Sequence, residues 1–248
     1  VGVLGTSEIK SIVFACSAMG FLAVAHENQK YMASNELGLL YAIVQLLDVD
    51  KGKAREYCCS ITRSLSSAIS NKLFMAADHL GLVKALINVM KDDRGKARAN
   101  ACASVCNLAI ATMNKVPMAK PALGLVKALV YVIKTDKSEA RVNSCAALSY
   151  LAVAMENKTV LLDPAMELLE SLKVVIKEDN GKARVNACLT LTNLSVNANG
   201  TDLSPGKGTS TKGVSSKAGY SAKGSTLTSP YGSMNIQPPA GNITPYKT

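Results

Sequence analysis

The sequence contains no tryptophan and two histidines, and aromatic residues make up 4% of its 248 residues. Histidine is the commonest acid–base group and metal ligand in proteins, so its scarcity leaves little material for catalysis or metal binding. No run of about 18 apolar residues occurs, so no membrane-spanning helix is predicted. Acidic residues are also in short supply, 18 against 28 basic ones. The resulting charge of +10 permits acidic peptides or polyanions as partners.

The sequence repeats itself every 43 residues. The peptide Gly-Lys-Ala-Arg at 52–55 returns at 95–98 and at 181–184, and Ser-Glu-Ala-Arg takes its place at 138–141. Cysteine, leucine and asparagine follow the same step, at Cys16, Cys59, Cys102, Cys145 and Cys188, at Leu22, Leu65, Leu108, Leu151 and Leu194, and at Asn28, Asn71, Asn114 and Asn157. A single unit of this length cannot bury its apolar faces alone, so neighbouring units must stack. The repeat therefore predicts a solenoid.

The apolar residues of each unit have the spacing of one face of a helix. One example at positions i, i+3, i+4, i+7 and i+8 consists of Leu82, Ala85, Leu86, Val89 and Met90. The same pattern occurs in the repeat before this one and in the two repeats after it. A polar turn follows, and then a second helix is predicted at about 97–111. A shorter segment is predicted at about 117–122, with Pro117 near its start, where proline suits a first helical turn. Each repeat is thus predicted to contain three helices.

The segment 97–109, Ala-Arg-Ala-Asn-Ala-Cys-Ala-Ser-Val-Cys-Asn-Leu-Ala, resembles the third helix of an armadillo repeat. The segment 183–195 resembles it as well, and Gly81 and Gly124 occupy positions where the family has a glycine before its second helix. HEAT repeats, which have two helices in each unit, are the second choice. The armadillo resemblance covers about residues 1–199. It implies an all-α fold, a right-handed α-solenoid of about five armadillo-like repeats.

The composition divides the chain into two parts. Residues 1–199 form the predicted repeat region, whose first repeat is truncated because its second helix would precede Val1. Residues 200–248 are rich in Gly, Ser, Thr and Pro, and we expect this low-complexity tail to be disordered. Three residues of the tail precede proline and are candidate phosphorylation sites, namely Ser204, Ser229 and Thr244. Phosphorylation would offset the basic charge of the tail.

The seven cysteines are predicted to be core residues. Equivalent cysteines of neighbouring repeats would lie about 8–10 Å apart, the spacing of packed helices. A disulfide needs Cα atoms within about 7 Å, so the cysteines should remain free thiols. Free thiols indicate an intracellular, reducing compartment, the cytoplasm or the nucleus. No set of Cys and His has the spacing of a metal site, and neither a metal nor a cofactor is predicted.

The resemblance implies a binding groove on the concave surface, which the third helices line. In the family, an asparagine near the end of this helix hydrogen-bonds the backbone of an extended peptide. Asn107 and Asn193 match that asparagine, while Tyr150 holds the equivalent position between them. The import-receptor branch of the family carries tryptophan four residues earlier, and this chain has none. A receptor for basic nuclear-import signals is therefore not favoured.

Three further columns of polar residues belong to the same helices. The first column consists of Asn100, Asn143 and Asn186. Their amide groups either make paired contacts to an extended chain or are solvated or locally satisfied. The second column consists of lysines at the starts of third helices, where Glu139 interrupts the series. These lysines are Lys53, Lys96 and Lys182. They suit an acidic or phosphorylated peptide, unless they serve solubility alone. The third column is predicted to tie adjacent repeats together and consists of Arg55, Arg98, Arg141 and Arg184.

The sequence therefore predicts a non-catalytic scaffold that binds an extended peptide or a partner protein in its groove. The alternative is binding of a polyanion, a nucleic acid or an anionic membrane surface, through the basic tail and the lysines. Few aromatic residues are available to stack on bases, so nucleic acid is not favoured. An enzyme is least favoured, because no phosphate loop, nucleophile–base pair or ligand cluster occurs. Apolar ends of the solenoid without a cap would favour end-to-end association.

Overall fold

A computed structural model describes residues 6–196, and all of its regular elements are helices. The first repeat contributes α1 (Thr6–Val24). The four following repeats contain α2 (His26–Met32), α3 (Leu39–Val49) and α4 (Lys53–Ser67); α5 (Lys72–Met75), α6 (Leu82–Asp92) and α7 (Gly95–Ala109); α8 (Thr112–Ala119), α9 (Leu125–Thr135) and α10 (Glu139–Leu151); and α11 (Lys158–Leu161), α12 (Leu168–Glu178) and α13 (Lys182–Ser195). This succession confirms the predicted α-solenoid of three-helix repeats. The boundary predicted at 199, the tail and its candidate phosphorylation sites lie outside the described residues.

The first helix of the fourth repeat differs from the prediction. A segment beginning near Pro117 is wrong, because α8 already begins at Thr112 and contains Pro117 in its interior. No side chain caps the start of α8, so the sequence carries no start signal there. Proline removes one helical hydrogen bond, and α8 ends two residues later, before a separate 3-10 turn at Pro121–Leu123. The helix predicted at 97–111 is confirmed with its bounds shifted to those of α7.

The second and third helices of successive repeats share one continuous apolar core. Cys59, Cys102 and Cys145 are fully buried in it, and burial raises the pKa of each thiol to about 12. Such thiols are poor nucleophiles and poor metal ligands, because both roles need the thiolate. The prediction is wrong for Cys188, which is exposed because no described repeat follows α13 to cover it.

The asparagines at 43-residue intervals connect the repeats. Asn114 Nδ2 donates to the carbonyl oxygen of Leu108 at the end of α7 and to that of Lys72 in the preceding repeat, both at 2.9 Å. Asn71 and Asn157 make the equivalent pairs of hydrogen bonds. Each of these side chains satisfies the end of a third helix, where carbonyl groups lack helical partners, and ties the start of its own repeat to the first and third helices of the repeat before.

Buried arginines connect the repeats as predicted. Arg55 Nη1 lies 3.1 Å from Asp93 Oδ2, and Arg141 Nη1 lies 2.8 Å from Asp179 Oδ2. Arg98 makes the equivalent contact to an aspartate of the next repeat. The prediction is wrong for Arg184, which is exposed because no described repeat follows its own.

No described helix is long and apolar enough to cross a membrane. Within residues 6–196, no group of three or more histidine, cysteine, aspartate or glutamate side chains is arranged to hold a metal ion.

Each second helix is preceded by one residue in the left-handed conformation. Gly38, Gly81 and Gly124 have φ angles of 66°, 71° and 76°. Glu167 holds the equivalent position before α12, with φ of 53°. It is the one non-glycine residue with positive φ in the described range. Its Cβ lies close to the following carbonyl oxygen in this conformation, which costs about 1 kcal/mol or more in the folded state. Glu167 is therefore a strained residue.

Replacing Glu167 by glycine is expected to raise the melting temperature by roughly 2 °C, because glycine adopts this conformation without strain. Thermal unfolding followed by circular dichroism measures the change. The substitution also removes an exposed ion pair between Glu167 and Lys134. Lys134→Ala removes the same pair without relieving φ, and it should leave the melting temperature unchanged or slightly lower. A lower melting temperature for Glu167→Gly would contradict the inference that Glu167 is strained.

Candidate functional site

The third helices of neighbouring repeats pack directly against one another. We call the accessible side of α4, α7, α10 and α13 the third-helix face. Four residues before the asparagine position near the helix ends, α4, α7 and α10 have the small residues Ser60, Ala103 and Ala146, whereas α13 has Leu189, which is exposed. Ala103 and Ala146 are buried. Small side chains therefore form the floor of the face on α4, α7 and α10, between the polar columns.

The first column links each third helix to the one before it. Asn143 Nδ2 donates to the carbonyl oxygen of Ala99 at 3.3 Å, and Asn186 Nδ2 donates to that of Val142 at 3.3 Å. Asn143, predicted as a residue of the binding groove, is buried, and Asn186 is half-buried. Both asparagine side chains thus have fixed orientations.

The second column makes the same kind of contact near the ends of the helices. Asn107 Nδ2 donates to the carbonyl oxygen of Arg63 at 3.3 Å and to Ser66 Oγ at 3.1 Å. Asn193 Nδ2 donates to the carbonyl oxygen of Ser149 at 2.9 Å. Tyr150, at the equivalent position between these asparagines, is half-buried. In four of the five asparagines of the two columns the amide therefore donates to the preceding third helix, and the exception is Asn100.

The predicted lysines stand at the starts of the third helices, where all three are exposed. Lys53 Nζ lies 2.9 Å from Glu56 Oε1 and 5.4 Å from the centre of the Tyr57 ring. This hydrogen bond to Glu56 raises the pKa of Lys53. Lys96 and Lys182 give the face two further accessible cations. The lysine column is therefore accessible to an anionic partner at three repeats.

Arg63 is a polar residue of this face that the sequence did not single out. Its Nη1 donates to Asn100 Oδ1 at 3.1 Å, and its Nη2 lies 3.5 Å from Glu139 Oε1. Three consecutive repeats supply these groups, since Arg63 lies on α4, Asn100 on α7 and Glu139 on α10. The repeat pattern does not predict a role for Arg63, because no other repeat has an arginine at this position. The equivalent residues are Gly20, Cys106, Ser149 and Thr192.

Comparison by sequence finds no matching family model and no matching curated protein. Solved structures are similar, however. A designed armadillo repeat protein has a TM-score of 0.66 and 18% identity, and the match covers 80% of each chain. The fold is that of an armadillo-like repeat protein.

Two other similar structures carry descriptions of what they bind. One is a designed armadillo repeat protein in complex with the peptide (KR)4, with a TM-score of 0.65, 16% identity and 78% of each chain covered. The other represents computationally designed armadillo repeat proteins for modular peptide recognition, with a TM-score of 0.66 and 20% identity over 75% of this chain and 76% of the other. At these identities the likeness to this armadillo-like chain is one of fold.

Proposed function

We propose that the protein is a non-catalytic scaffold that binds an extended peptide, or an extended segment of a partner protein, along its third-helix face. The observation that carries this proposal is the pair of asparagine columns, whose amide groups are oriented by the preceding helix. With their side-chain nitrogens engaged, Asn143 and Asn186 would offer their side-chain oxygens to a ligand, one repeat apart. An extended backbone offers N–H donors at regular intervals, so the two patterns are complementary.

The spacing of the repeats supports an extended ligand. Packed helices lie about 8–10 Å apart, and an extended chain advances about 3.3 Å for each residue. Two to three peptide residues therefore span one repeat, which allows successive asparagines to meet successive backbone groups in the same way. The designed armadillo structures, of which one holds the peptide (KR)4, support the same use of this fold.

The charge of the face favours an acidic or phosphorylated ligand. Lys96 and Lys182 are exposed at the starts of α7 and α13, and Arg63 lies between the columns with 41% of its side chain exposed. Cations beside backbone-binding amides recognise anionic side chains of the ligand. The buried free thiols support a reducing compartment, the cytoplasm or the nucleus, as the place of action.

End-to-end association stays a prediction. Phe14 and Phe21 on α1 are exposed, and so are Val185 and Leu189 on α13. In the two preceding repeats the residues equivalent to Leu189, which are Ala103 and Ala146, are buried. Both ends of the described solenoid therefore expose apolar area that a second protein surface would bury favourably.

A selection from a random peptide library tests the proposed function. We expect the full chain to enrich peptides that bind it at least tenfold more tightly than they bind a variant with Asn100, Asn143 and Asn186 changed to Ala. The matched control is Asn88→Ala, which removes an exposed asparagine from α6, outside the third-helix face. Circular dichroism checks that the triple variant is folded.

Two outcomes would contradict the proposal. Peptides that bind the triple variant as tightly as the unchanged chain would place the binding surface elsewhere. Binding that falls steeply with salt and does not depend on the asparagines would instead favour a polyanion binder, since phosphate contacts release counterions.

A further inference from the structure

Glu139 is an exception in the column of lysines. The first residues of α4 and α13 are Lys53 and Lys182, and Lys96 holds the equivalent position in α7. In α10 the equivalent residue is Glu139, whose carboxylate lies 3.5 Å from Nη2 of Arg63, two repeats earlier in the chain. An anionic group thus already occupies the third-helix face, and it belongs to the protein itself.

The surroundings of Arg63 are those of an oxyanion site. Asn100 Oδ1 accepts from Nη1 at 3.1 Å and holds one side of the guanidinium group in place. Lys96 precedes Asn100 by one helical turn, so it lies on the same side of α7. Lys96 is exposed and has no ion-pair partner in the described part of the chain. Arg63 and Asn100 therefore lie beside the position that Glu139 approaches, and Lys96 adds a second cation on the same side of α7.

We propose that Arg63 is the anion-binding residue of the third-helix face, and that Glu139 is an internal occupant which a carboxylate or phosphate group of a bound peptide displaces. This inference rests on the peptide-binding function proposed above. It names the chemical group that the ligand presents and the place where that group binds. It also assigns Glu139 the role of a competitor within the chain.

The contact between Arg63 and Glu139 has the properties of a displaceable one. The side chains are 41% and 53% exposed, and one nitrogen lies at 3.5 Å from one oxygen. Exposed ion pairs of this kind contribute little to stability, so breaking the pair costs little. A ligand oxyanion that reaches the guanidinium group with two oxygens forms two parallel hydrogen bonds, which are stronger and more specific. Exchange of Glu139 for such a group is therefore favourable.

Fluorescence polarisation with three labelled octapeptides tests this inference on the full chain. The probes are (Glu-Ser)4, (phosphoserine-Ala)4 and the uncharged (Gln-Ser)4. Glu139→Gln removes the charge of the internal occupant, and we expect the two anionic peptides to bind it about three to ten times more tightly than the unchanged chain. Arg63→Gln added to that variant should weaken the anionic peptides at least tenfold, and it should leave (Gln-Ser)4 unchanged.

Matched controls separate the site from overall charge. Glu156→Gln changes the net charge as Glu139→Gln does, but Glu156 is an exposed residue that lies after α10. Lys127→Gln, on α9, matches the loss of charge in Arg63→Gln. A gain with Glu156→Gln as large as that with Glu139→Gln would overturn the proposal, because it would then reflect the charge of the whole protein.

The remaining outcomes are equally decisive. The assignment of Arg63 as the anion-binding residue is wrong if neither anionic peptide binds Glu139→Gln more tightly than the unchanged chain. It is also wrong if Arg63→Gln has no effect on the binding of the anionic peptides. Peptides enriched from the random library would still support the proposed function in that case. A gain for both anionic probes supports a general oxyanion site, and a gain for the phosphoserine peptide alone identifies a dianionic phosphate as the ligand.

Discussion

Replacing Asn114 by alanine is expected to lower the free energy of unfolding by about 2–4 kcal/mol. The side chain is buried, and its Nδ2 donates to the carbonyl oxygens of Leu108 and Lys72, both at 2.9 Å. Alanine leaves both carbonyl groups without this donor, and an unsatisfied buried polar group costs about 1–3 kcal/mol. The loss is large because one side chain closes α7 and also holds the preceding repeat. Urea unfolding followed by circular dichroism measures it.

Asn28→Ala provides the matched control for this prediction. Asn28 has the equivalent place in the second repeat, but it is half-buried and donates to the carbonyl oxygen of Leu22 alone, at 3.0 Å. No described residue of the first repeat corresponds to Lys72, so the second hydrogen bond is missing here. We expect a loss of about 1 kcal/mol or less. Equal losses at Asn28 and Asn114 would show that the hydrogen bond to Lys72 contributes nothing.

The repeat allowed much of the fold to be predicted from the sequence. An exact 43-residue step assigns one environment to every equivalent residue, so one well-marked helix such as α6 predicts the helices at the same place in other repeats. The same step predicted the connecting arginines, because a charged residue retained at each junction indicates a shared contact. The prediction failed at α8, since an uncapped helix that contains Pro117 has no signal at its start.

The candidate site was less predictable, because the sequence does not say which way a side chain turns. Asn143 has the place expected for a residue of the binding surface, yet its amide group donates to the preceding helix. This direction depends on how closely the third helices approach each other, which is a property of packing. Arg63 and Glu139 were beyond prediction for a second reason, since their contact joins two positions that differ in register and belong to different repeats.

Replacing Arg98 by methionine is expected to lower the free energy of unfolding by about 3–5 kcal/mol, the usual loss when one member of a buried ion pair is removed. Arg98 is fully buried, with Nη1 3.7 Å from Asp136 Oδ2 and Nη2 donating to the carbonyl oxygen of Lys91 at 3.3 Å. Methionine retains most of the apolar volume of the side chain. The loss therefore measures the charge and the hydrogen bonds at the junction, and urea unfolding again provides the measurement.

Arg184→Met and a double variant complete this test. Arg184 has the same register in the last described repeat but is exposed, so its replacement should change stability by no more than about 0.5 kcal/mol. A comparable loss at both arginines would contradict a role at the junction. Asp136→Asn added to Arg98→Met should recover part of the loss, because it removes the carboxylate that the first substitution leaves uncompensated. The size of that recovery would show how much of the cost lies in the unpaired carboxylate of Asp136 and how much in the lost contacts of Arg98.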